Sequence, residues 1–246
     1  MEGKKLSIGE HLEELRLRLI YSAIIFVITT IVCLIFQEQI IKIIVAPHLK
    51  IASGKTLKIF NYPEGFFVYF KASLIAGLLL AAPFIIYQIW KFISAGLYPH
   101  EKKYVIFYLP SSLTLFIIGV LFSYFIFIPF MLDFLYHYSD PAFVESTINL
   151  NNYFNLFIMF TLIMGGVFEL PLIMLFLVQI KLFTPKIYLG KWKIVILLAF
   201  IIAAIITPSG DPLTQTLFAI PLLLLYIMGI LLSYLFLKLG KPKNTE

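Results

Sequence analysis

Six apolar stretches constrain the fold of this chain more than any other feature of its sequence. They are residues 19–36, 66–90, 104–132, 153–180, 194–207 and 213–237. Each is long or apolar enough to cross a bilayer as a helix, and the alternating segments of about ten residues that are typical of a membrane barrel are missing. With 61% hydrophobic and 13% charged residues, the composition excludes a soluble domain. The sequence predicts an all-α, polytopic membrane protein with six transmembrane helices, forming one membrane domain over residues 1–246.

The segment before the first stretch, residues 1–18, is predicted to be an amphipathic helix at the cytoplasmic surface. Ser7 and Glu10 fit a capping box, which indicates a helix start. Three acidic residues separate the N-terminal lysines from the apolar run, so the first span is a permanent helix and no cleaved signal peptide. A simple alternative for this segment is an interfacial anchor in which Glu14 pairs with Arg18.

The distribution of basic residues predicts the orientation of the chain. The N-terminal segment, the second and fourth connections and the C-terminal tail carry most of the 19 Lys and Arg residues. Basic residues accumulate on the cytoplasmic side of membrane proteins, so both termini are predicted to be cytoplasmic. This distribution also accounts for the net charge of +6, and no nucleic-acid partner is needed to explain it.

Glu169 is an acidic residue inside the fourth apolar stretch. It follows Tyr153 by sixteen residues, which corresponds to roughly 24 Å of helix in a hydrocarbon layer about 30 Å thick. A carboxylate at this depth is costly, so it normally faces protein or a water-filled cavity and indicates function. The alternative is a protonated carboxyl group that only helps two helices to pack.

Prolines and a short fifth stretch predict an irregular bundle. Pro83, Pro171 and Pro221 each lie inside a span, where proline removes a backbone hydrogen bond and bends the helix. Residues 194–206 cover only about 20 Å as a helix. The bundle is therefore expected to be bent, and either the lipid thins around the fifth helix or a partner covers the gap.

Two outer connections are predicted to be ordered. The first, residues 37–65, is too long for a turn, and the apolar residues before Pro47 predict a helix lying in the interface. In the last outer turn, Asp211 is placed to cap the final helix.

The aromatic residues near the ends of the spans resemble an interfacial belt. Trp90 and Trp192 fall at the predicted cytoplasmic interface, and Tyr136, Tyr138 and Tyr153 fall at the outer one. Tryptophan and tyrosine are enriched at both membrane interfaces. We therefore expect these five side chains to anchor the bundle in the headgroup regions.

The second connection, residues 91–103, is unusually apolar for a cytoplasmic loop. It contains Phe92, Leu97 and Tyr98 beside the acidic Glu101. An exposed apolar surface bordered by a carboxylate is a candidate docking site.

The sequence contains no pattern that supports catalysis, a metal ion or a cofactor. The four histidines lack helical ligand spacing, and Cys33 is the only cysteine. Nucleophile elbows and phosphate-binding loops are missing. The residues alone leave two classes open: a small secondary transporter with Glu169 as its coupling site, and a receptor for a peptide or protein. A structural membrane scaffold is a further alternative.

Several motifs occur in an order that resembles the TatC family, the polytopic subunit of the twin-arginine protein translocase. They are His11-Leu12-x-Glu14-Leu15-Arg16-x-Arg18-Leu19, Glu64 with Phe70-Lys71, Pro83 with Tyr87-Gln88-x-Trp90-x-Phe92, Leu97-Tyr98-x-x-Glu101-Lys102, Phe168-Glu169-x-Pro171, Thr207-Pro208, Asp211 with Gln215, and Ala219-x-Pro221. The resemblance covers about residues 7–234. It implies a concave bundle in a bacterial or archaeal cytoplasmic membrane that binds twin-arginine signal peptides and exports folded proteins with the proton gradient.

The resemblance also assigns roles to particular residues. The signal-peptide surface corresponds to Glu14, Arg16, Phe92, Leu97, Tyr98 and Glu101. Glu169 corresponds to an intramembrane polar site that contacts single-span subunits of the TatA and TatB type within a multimeric complex. Pro47, Glu64 and Asp211 correspond to structural loop positions.

Overall fold

A computed structural model describes residues 8–51, 56–98, 101–138, 148–207 and 211–239. Ser7 of the expected capping box and residues 208–210 of the last outer turn lie outside these ranges. The α-helices are α1 (Ile8–Ile35), α2 (Gln37–Ile51), α3 (Glu64–Gly96), α4 (Lys102–Phe122), α5 (Ile128–Tyr138), α6 (Leu150–Val167), α7 (Leu170–Gln179), α8 (Pro185–Gly190), α9 (Trp192–Ile206) and α10 (Pro212–Leu239). A π-helical segment, Ser123–Phe127, joins α4 to α5.

The predicted all-α polytopic class is confirmed. Five helical segments are long and apolar enough to span a membrane, namely Gly9–Ile35, Glu64–Gly96, Lys102–Tyr136, Leu150–Gln179 and Pro212–Lys238. The sixth apolar helix, α9, has 15 residues and is therefore about 22 Å long. It is shorter than the hydrocarbon layer, as the sequence predicts.

The chain divides into two compact units, Met1–Leu162 and Ile163–Glu246, and a single membrane domain stays a prediction. The division falls inside α6. The first unit contains α1 to α5 with most of α6, and the second contains α7 to α10.

The N-terminal amphipathic segment is continuous with the first span. Helix α1 runs without a break from Ile8 to Ile35, so residues 8–18 are its first turns. No helix-breaking residue separates the polar turns from the apolar ones, so both belong to one helix, and the surface location of the polar turns stays a prediction.

Helices α1 and α3 pack closely at Gly77. A Cβ atom added to Gly77 would lie 2.5 Å from Thr30 Oγ1 and 2.7 Å from Thr30 Cα. The neighbouring Thr29 hydroxyl donates to Gly77 O at 2.8 Å. Small residues allow such close backbone approach in membrane helices, and polar side chains then bond across the interface.

The fourth span is broken at Phe168 and Glu169, where the sequence predicted a proline bend within one helix. Helix α6 ends at Val167 and α7 begins at Leu170. The Glu169 N–H turns back to Gly166 O at 3.1 Å. Pro171 then lies in the first turn of α7, where the N–H that proline lacks has no helical partner in any case.

Within the second unit, α7 and α10 approach each other at Gly229. A Cβ atom added there would lie 2.5 Å from Met174 Sδ and 3.1 Å from Pro171 Cα. The short helix α8 attaches to both helices, since the Tyr188 hydroxyl donates to Met174 O at 3.1 Å and the Tyr226 hydroxyl donates to Tyr188 O at 2.7 Å.

The prediction that five aromatic side chains lie in the headgroup regions is wrong for two of them. Trp90 is buried and stacks on Tyr108 with ring centroids 5.3 Å apart. Tyr153 is buried as well, and its hydroxyl bonds to the backbone of α2. Trp192 is half exposed, as a belt residue should be. The sequence shows where along the span an aromatic residue lies, but packing decides whether it faces lipid.

We predict that Gly77→Ala destabilises the protein by about 1–3 kcal/mol, because its methyl group overlaps the backbone of α1. Gly166→Ala is the control, since a Cβ atom there meets nothing within 4 Å. Thermal unfolding of the purified proteins in detergent measures both. Equal midpoints for the two variants would contradict the packing of α1 on α3.

Candidate functional site

The first turns of α1 contact the last turns of α3, and we call this region the α1–α3 junction (His11, Glu14, Arg18, Gln88 and Phe92). The Arg18 Nη2 atom lies 2.8 Å from Glu14 Oε1, and Arg18 Nη1 donates to Gln88 Oε1 at 3.2 Å. The guanidinium group therefore links a carboxylate on its own helix to an amide on α3. The Glu14–Arg18 ion pair, which the interfacial-anchor alternative predicts, is present. Because Arg18 also bonds to Gln88, the pair positions Glu14 relative to α3.

A ring stack forms the second contact of the junction. The His11 and Phe92 ring centroids are 4.4 Å apart with an interplanar angle of 20°. Gly96 lies next to the same histidine, because a Cβ atom added to it would be 3.5 Å from His11 Cε1. This end of α1 is thus fixed against the C-terminal end of α3.

Glu101 lies close to the same end of the first unit. It occupies the N-cap position of α4, five residues after Gly96. Its Oε2 accepts the Tyr98 N–H at 3.1 Å, so the carboxylate stabilises the bend between α3 and α4. Of the two intervening residues, Pro99 and His100, the structure describes nothing.

The apolar residues of this connection differ in exposure. Tyr98 is 50% exposed, whereas Phe92 and Leu97 are partly buried. Arg16 is exposed on α1. The structure thus brings the six predicted signal-peptide residues to one end of the first unit, and their role in binding stays a prediction.

Two residues that position Glu14 were not assigned a role from the sequence. Gln88 holds Arg18 in place, and His11 stacks on Phe92. Both occur in the motifs that were recognised, but contact between α1 and α3 joins residues 70 or more positions apart. Helical periodicity within either segment carries no signal for such a contact.

Glu169 lies in the second unit, at the N-cap of α7. Its carbonyl oxygen accepts the Ile173 N–H at 2.9 Å, which is the first hydrogen bond of that helix. Its side chain is partly buried. The carboxylate thus sits at a helix N-terminus inside the fourth span, where the helix dipole favours negative charge.

Glu64 connects the segment before α3 to α6. Its Oε2 accepts the Phe60 and Asn61 N–H groups at 2.9 and 3.3 Å, and its Oε1 accepts the Asn151 N–H at 3.0 Å. The isolated bridge between Lys58 and Asn149 lies beside it. This single carboxylate therefore satisfies three backbone donors at the start of α3 and α6.

Pro47 leaves a backbone acceptor free inside α2, and a tyrosine occupies it. Proline has no N–H, so the carbonyl of Ile43, four residues earlier, has no helical donor. The Tyr124 hydroxyl donates to Ile43 O at 2.9 Å. The buried Tyr153 hydroxyl donates to the next carbonyl, Ile44 O, at 2.5 Å. The two tyrosines fix α2 to the π-helical segment and to α6.

Asp211 caps α10, which confirms the cap expected from the sequence. Its Oδ1 accepts the Thr214 N–H at 2.8 Å, and the Thr214 hydroxyl donates to Oδ2 at 2.7 Å. Pro212 fills the first helical position, where its fixed φ suits the helix.

Comparison with known proteins gives consistent results. Residues 10–221 match the family described as Sec-independent protein translocase protein (TatC). The chain is 35% identical over 233 residues to Sec-independent protein translocase protein TatCy of Bacillus subtilis (strain 168), covering 95% of this chain and 91% of the relative. It is 37% identical over 238 residues to the TatC protein of Aquifex aeolicus (strain VF5), covering 96% and 97%.

A solved structure agrees with these relatives. The crystal structure of a twin arginine translocase receptor, TatC, superposes with a TM-score of 0.84 at 38% identity. The superposition covers 92% of this chain and 99% of the other.

We predict that Tyr153→Phe lowers the free energy of unfolding by about 1 kcal/mol, because it removes the hydrogen bond from the buried hydroxyl to the Ile44 carbonyl while the ring keeps its packing. Tyr62→Phe removes a hydroxyl from a fully exposed side chain and serves as the control. Thermal unfolding in detergent compares the two. The assigned bond is wrong if Tyr153→Phe is as stable as Tyr62→Phe.

Proposed function

Because the chain belongs to the TatC family and is the polytopic core subunit of a Sec-independent, twin-arginine protein translocase, we propose that it binds the signal peptides of folded substrate proteins directly. Glu14 and Glu101 bind the paired arginines. The observation that carries this proposal is the placement of both carboxylates at the end of the first unit where α1 meets α3.

The chemistry of the two carboxylates suits paired arginines. A guanidinium group is a planar fork that a carboxylate can bind with two parallel hydrogen bonds, which a lysine ammonium cannot reproduce. Glu14 already binds one guanidinium, that of Arg18, at 2.8 Å. An arginine of the signal peptide takes the place of Arg18 or shares the carboxylate with it.

Exchange at Glu14 would replace one guanidinium group by another, so the carboxylate keeps a partner of the same kind. The Glu14 and Arg18 side chains are 24% and 18% exposed, so solvent reaches both. Gln88 retains Arg18 at 3.2 Å, so Arg18 keeps one partner when Glu14 changes its own. The junction therefore holds the carboxylate in position without blocking it.

The apolar part of the signal peptide contacts the connection between α3 and α4. Tyr98 offers a half-exposed ring. Leu97 precedes it in sequence, and Phe92 lies on the last turns of α3. The peptide thus meets carboxylates and apolar surface at the same end of the unit, which fits its own order of arginines followed by a hydrophobic segment.

Transport requires further elements that belong to this proposal. Both termini are cytoplasmic, the proton gradient supplies the energy, and the subunit works in a multimeric complex with single-span TatA and TatB type proteins. Those proteins contact the second unit near Glu169 and the short helix α9. A helix of about 22 Å leaves part of the membrane thickness uncovered, and a neighbouring helix can cover it.

We predict that Glu14→Gln and Glu101→Gln each reduce photocrosslinking to a twin-arginine signal peptide by about tenfold, because each removes a charge-assisted hydrogen bond while keeping the side-chain shape. The reference probe is the same peptide with two lysines. Glu13→Gln is the control, since Glu13 is exposed and adjacent to Glu14.

The crosslinking experiment also distinguishes specific binding by the two carboxylates from a general effect of net charge. Glu13→Gln changes the net charge equally and should crosslink as the wild type does. The proposed site would be refuted if both the Glu14 and the Glu101 variant crosslinked as strongly as the wild type. It would also be refuted if the wild type crosslinked equally to the arginine and lysine peptides.

For Glu169, we predict that Glu169→Gln abolishes export in cells and retains signal-peptide crosslinking. Glutamine has nearly the shape of a protonated carboxyl group, so a purely structural role would tolerate it. Glu169→Ala tests loss of the whole group. Full export by Glu169→Gln together with failure of Glu169→Ala would assign the residue to packing alone.

A further inference from the structure

Two cavities of the first unit meet at Lys71. One, of about 580 Å³, is lined mainly by polar side chains that include Glu64, Lys71, Asn151 and Asn152. The other, of about 490 Å³, is lined almost entirely by apolar side chains from α1, α3 and α6, and Lys71 and Asn155 are its polar residues. Both volumes are in the range of small-ligand sites. A molecule with a polar head and an apolar tail can occupy both.

Lys71 carries a positive charge inside a membrane-spanning segment. It follows Glu64 by seven residues on α3, or roughly 10 Å along the helix axis. Its Nζ donates to Asn151 Oδ1 at 2.8 Å and to Asn155 Oδ1 at 2.9 Å. Both partners are neutral amides, so within the described part of the chain these bonds orient the ammonium group without neutralising it. An ammonium at this depth is costly unless an anion accompanies it.

The order of chemical groups along α3 identifies the ligand. The apolar cavity is followed by the cation of Lys71, and the polar cavity beyond contains the carboxylate of Glu64. A glycerophospholipid with an amine headgroup has the same order: acyl chain, phosphate, ammonium. We propose that one such lipid binds here, with an acyl chain against Leu78 and Met159, its phosphate at Lys71 and its amine towards Glu64.

Two other ligands fit the cavities less well. Inorganic phosphate would bind Lys71 but would leave the apolar cavity without a ligand. A partner helix could fill the apolar cavity, but it would need an acidic side chain at Lys71 and a basic group at Glu64, whereas the lipid carries both charges in one headgroup. Phosphatidylglycerol would also supply an acyl chain and a phosphate, but its uncharged glycerol headgroup would offer no cation to Glu64.

The first test measures lipid that remains bound to the purified full-length protein. The protein is extracted from membranes in mild detergent, incubated with phosphatidylethanolamine or phosphatidylglycerol, and analysed by native mass spectrometry. Wild-type protein should retain phosphatidylethanolamine in preference to phosphatidylglycerol. Lys71→Met should lower the retained amount about tenfold, as expected for loss of a charge-assisted hydrogen bond.

The matched charge control is Lys50→Met, which removes an exposed lysine from α2 and should retain lipid as the wild type does. Equal retention by the Lys71 and Lys50 variants overturns the proposal. Preference for phosphatidylglycerol overturns the assigned headgroup.

The second test addresses the apolar cavity and does not depend on Lys71. Leu78→Trp fills the cavity and should reduce lipid retention, whereas Leu80→Trp, on a 57% exposed residue of the same helix, should not. A photoreactive amino acid at Met159 then reports the occupant in native membranes. A lipid adduct supports the proposal, and a polypeptide adduct or equal retention by both tryptophan variants overturns it.

Discussion

The constraint on which this structure depends is the need to satisfy every backbone polar group without water. A free carbonyl or N–H in hydrocarbon costs several kcal/mol, yet this chain places prolines inside several of its helices. The structure meets the constraint in two ways. In α2, the Tyr124 and Tyr153 hydroxyls donate to the carbonyls around Pro47. In the fourth span, the helix ends and restarts, so that Pro171 lies where no N–H is required.

Polar side chains serve the same purpose at the helix ends. Glu64 accepts three backbone N–H groups at the start of α3 and α6, and Asp211 accepts one at the start of α10. The charged residues of the α1–α3 junction have different partners, because Glu14 and Arg18 bond to side chains and not to backbone N–H groups. Glu64 and Asp211 therefore bind backbone donors, whereas Glu14 binds a guanidinium group.

The sequence predicted the fold class, the spans, a helix before Pro47 and the cap at Asp211, since each depends on composition or local spacing. It did not predict the contacts of Trp90 and Tyr153, the break at Glu169 or the role of Gln88. These depend on which face of a helix meets a distant one, as at Gly77 and Thr30. An apolar residue looks alike in sequence whether it faces lipid or protein, so hydropathy alone cannot assign its partner.

The short helix α9 has a consequence for the membrane as well as for the protein. With 15 residues, it is about 8 Å shorter than the hydrocarbon layer. Where no neighbouring helix covers the difference, the surrounding leaflets bend towards it, and this elastic deformation extends into the neighbouring lipid. When two copies of the subunit approach each other, their deformed regions overlap and the total bending cost falls. Such an attraction needs no complementary side chains, and it would be strongest in the thickest bilayers.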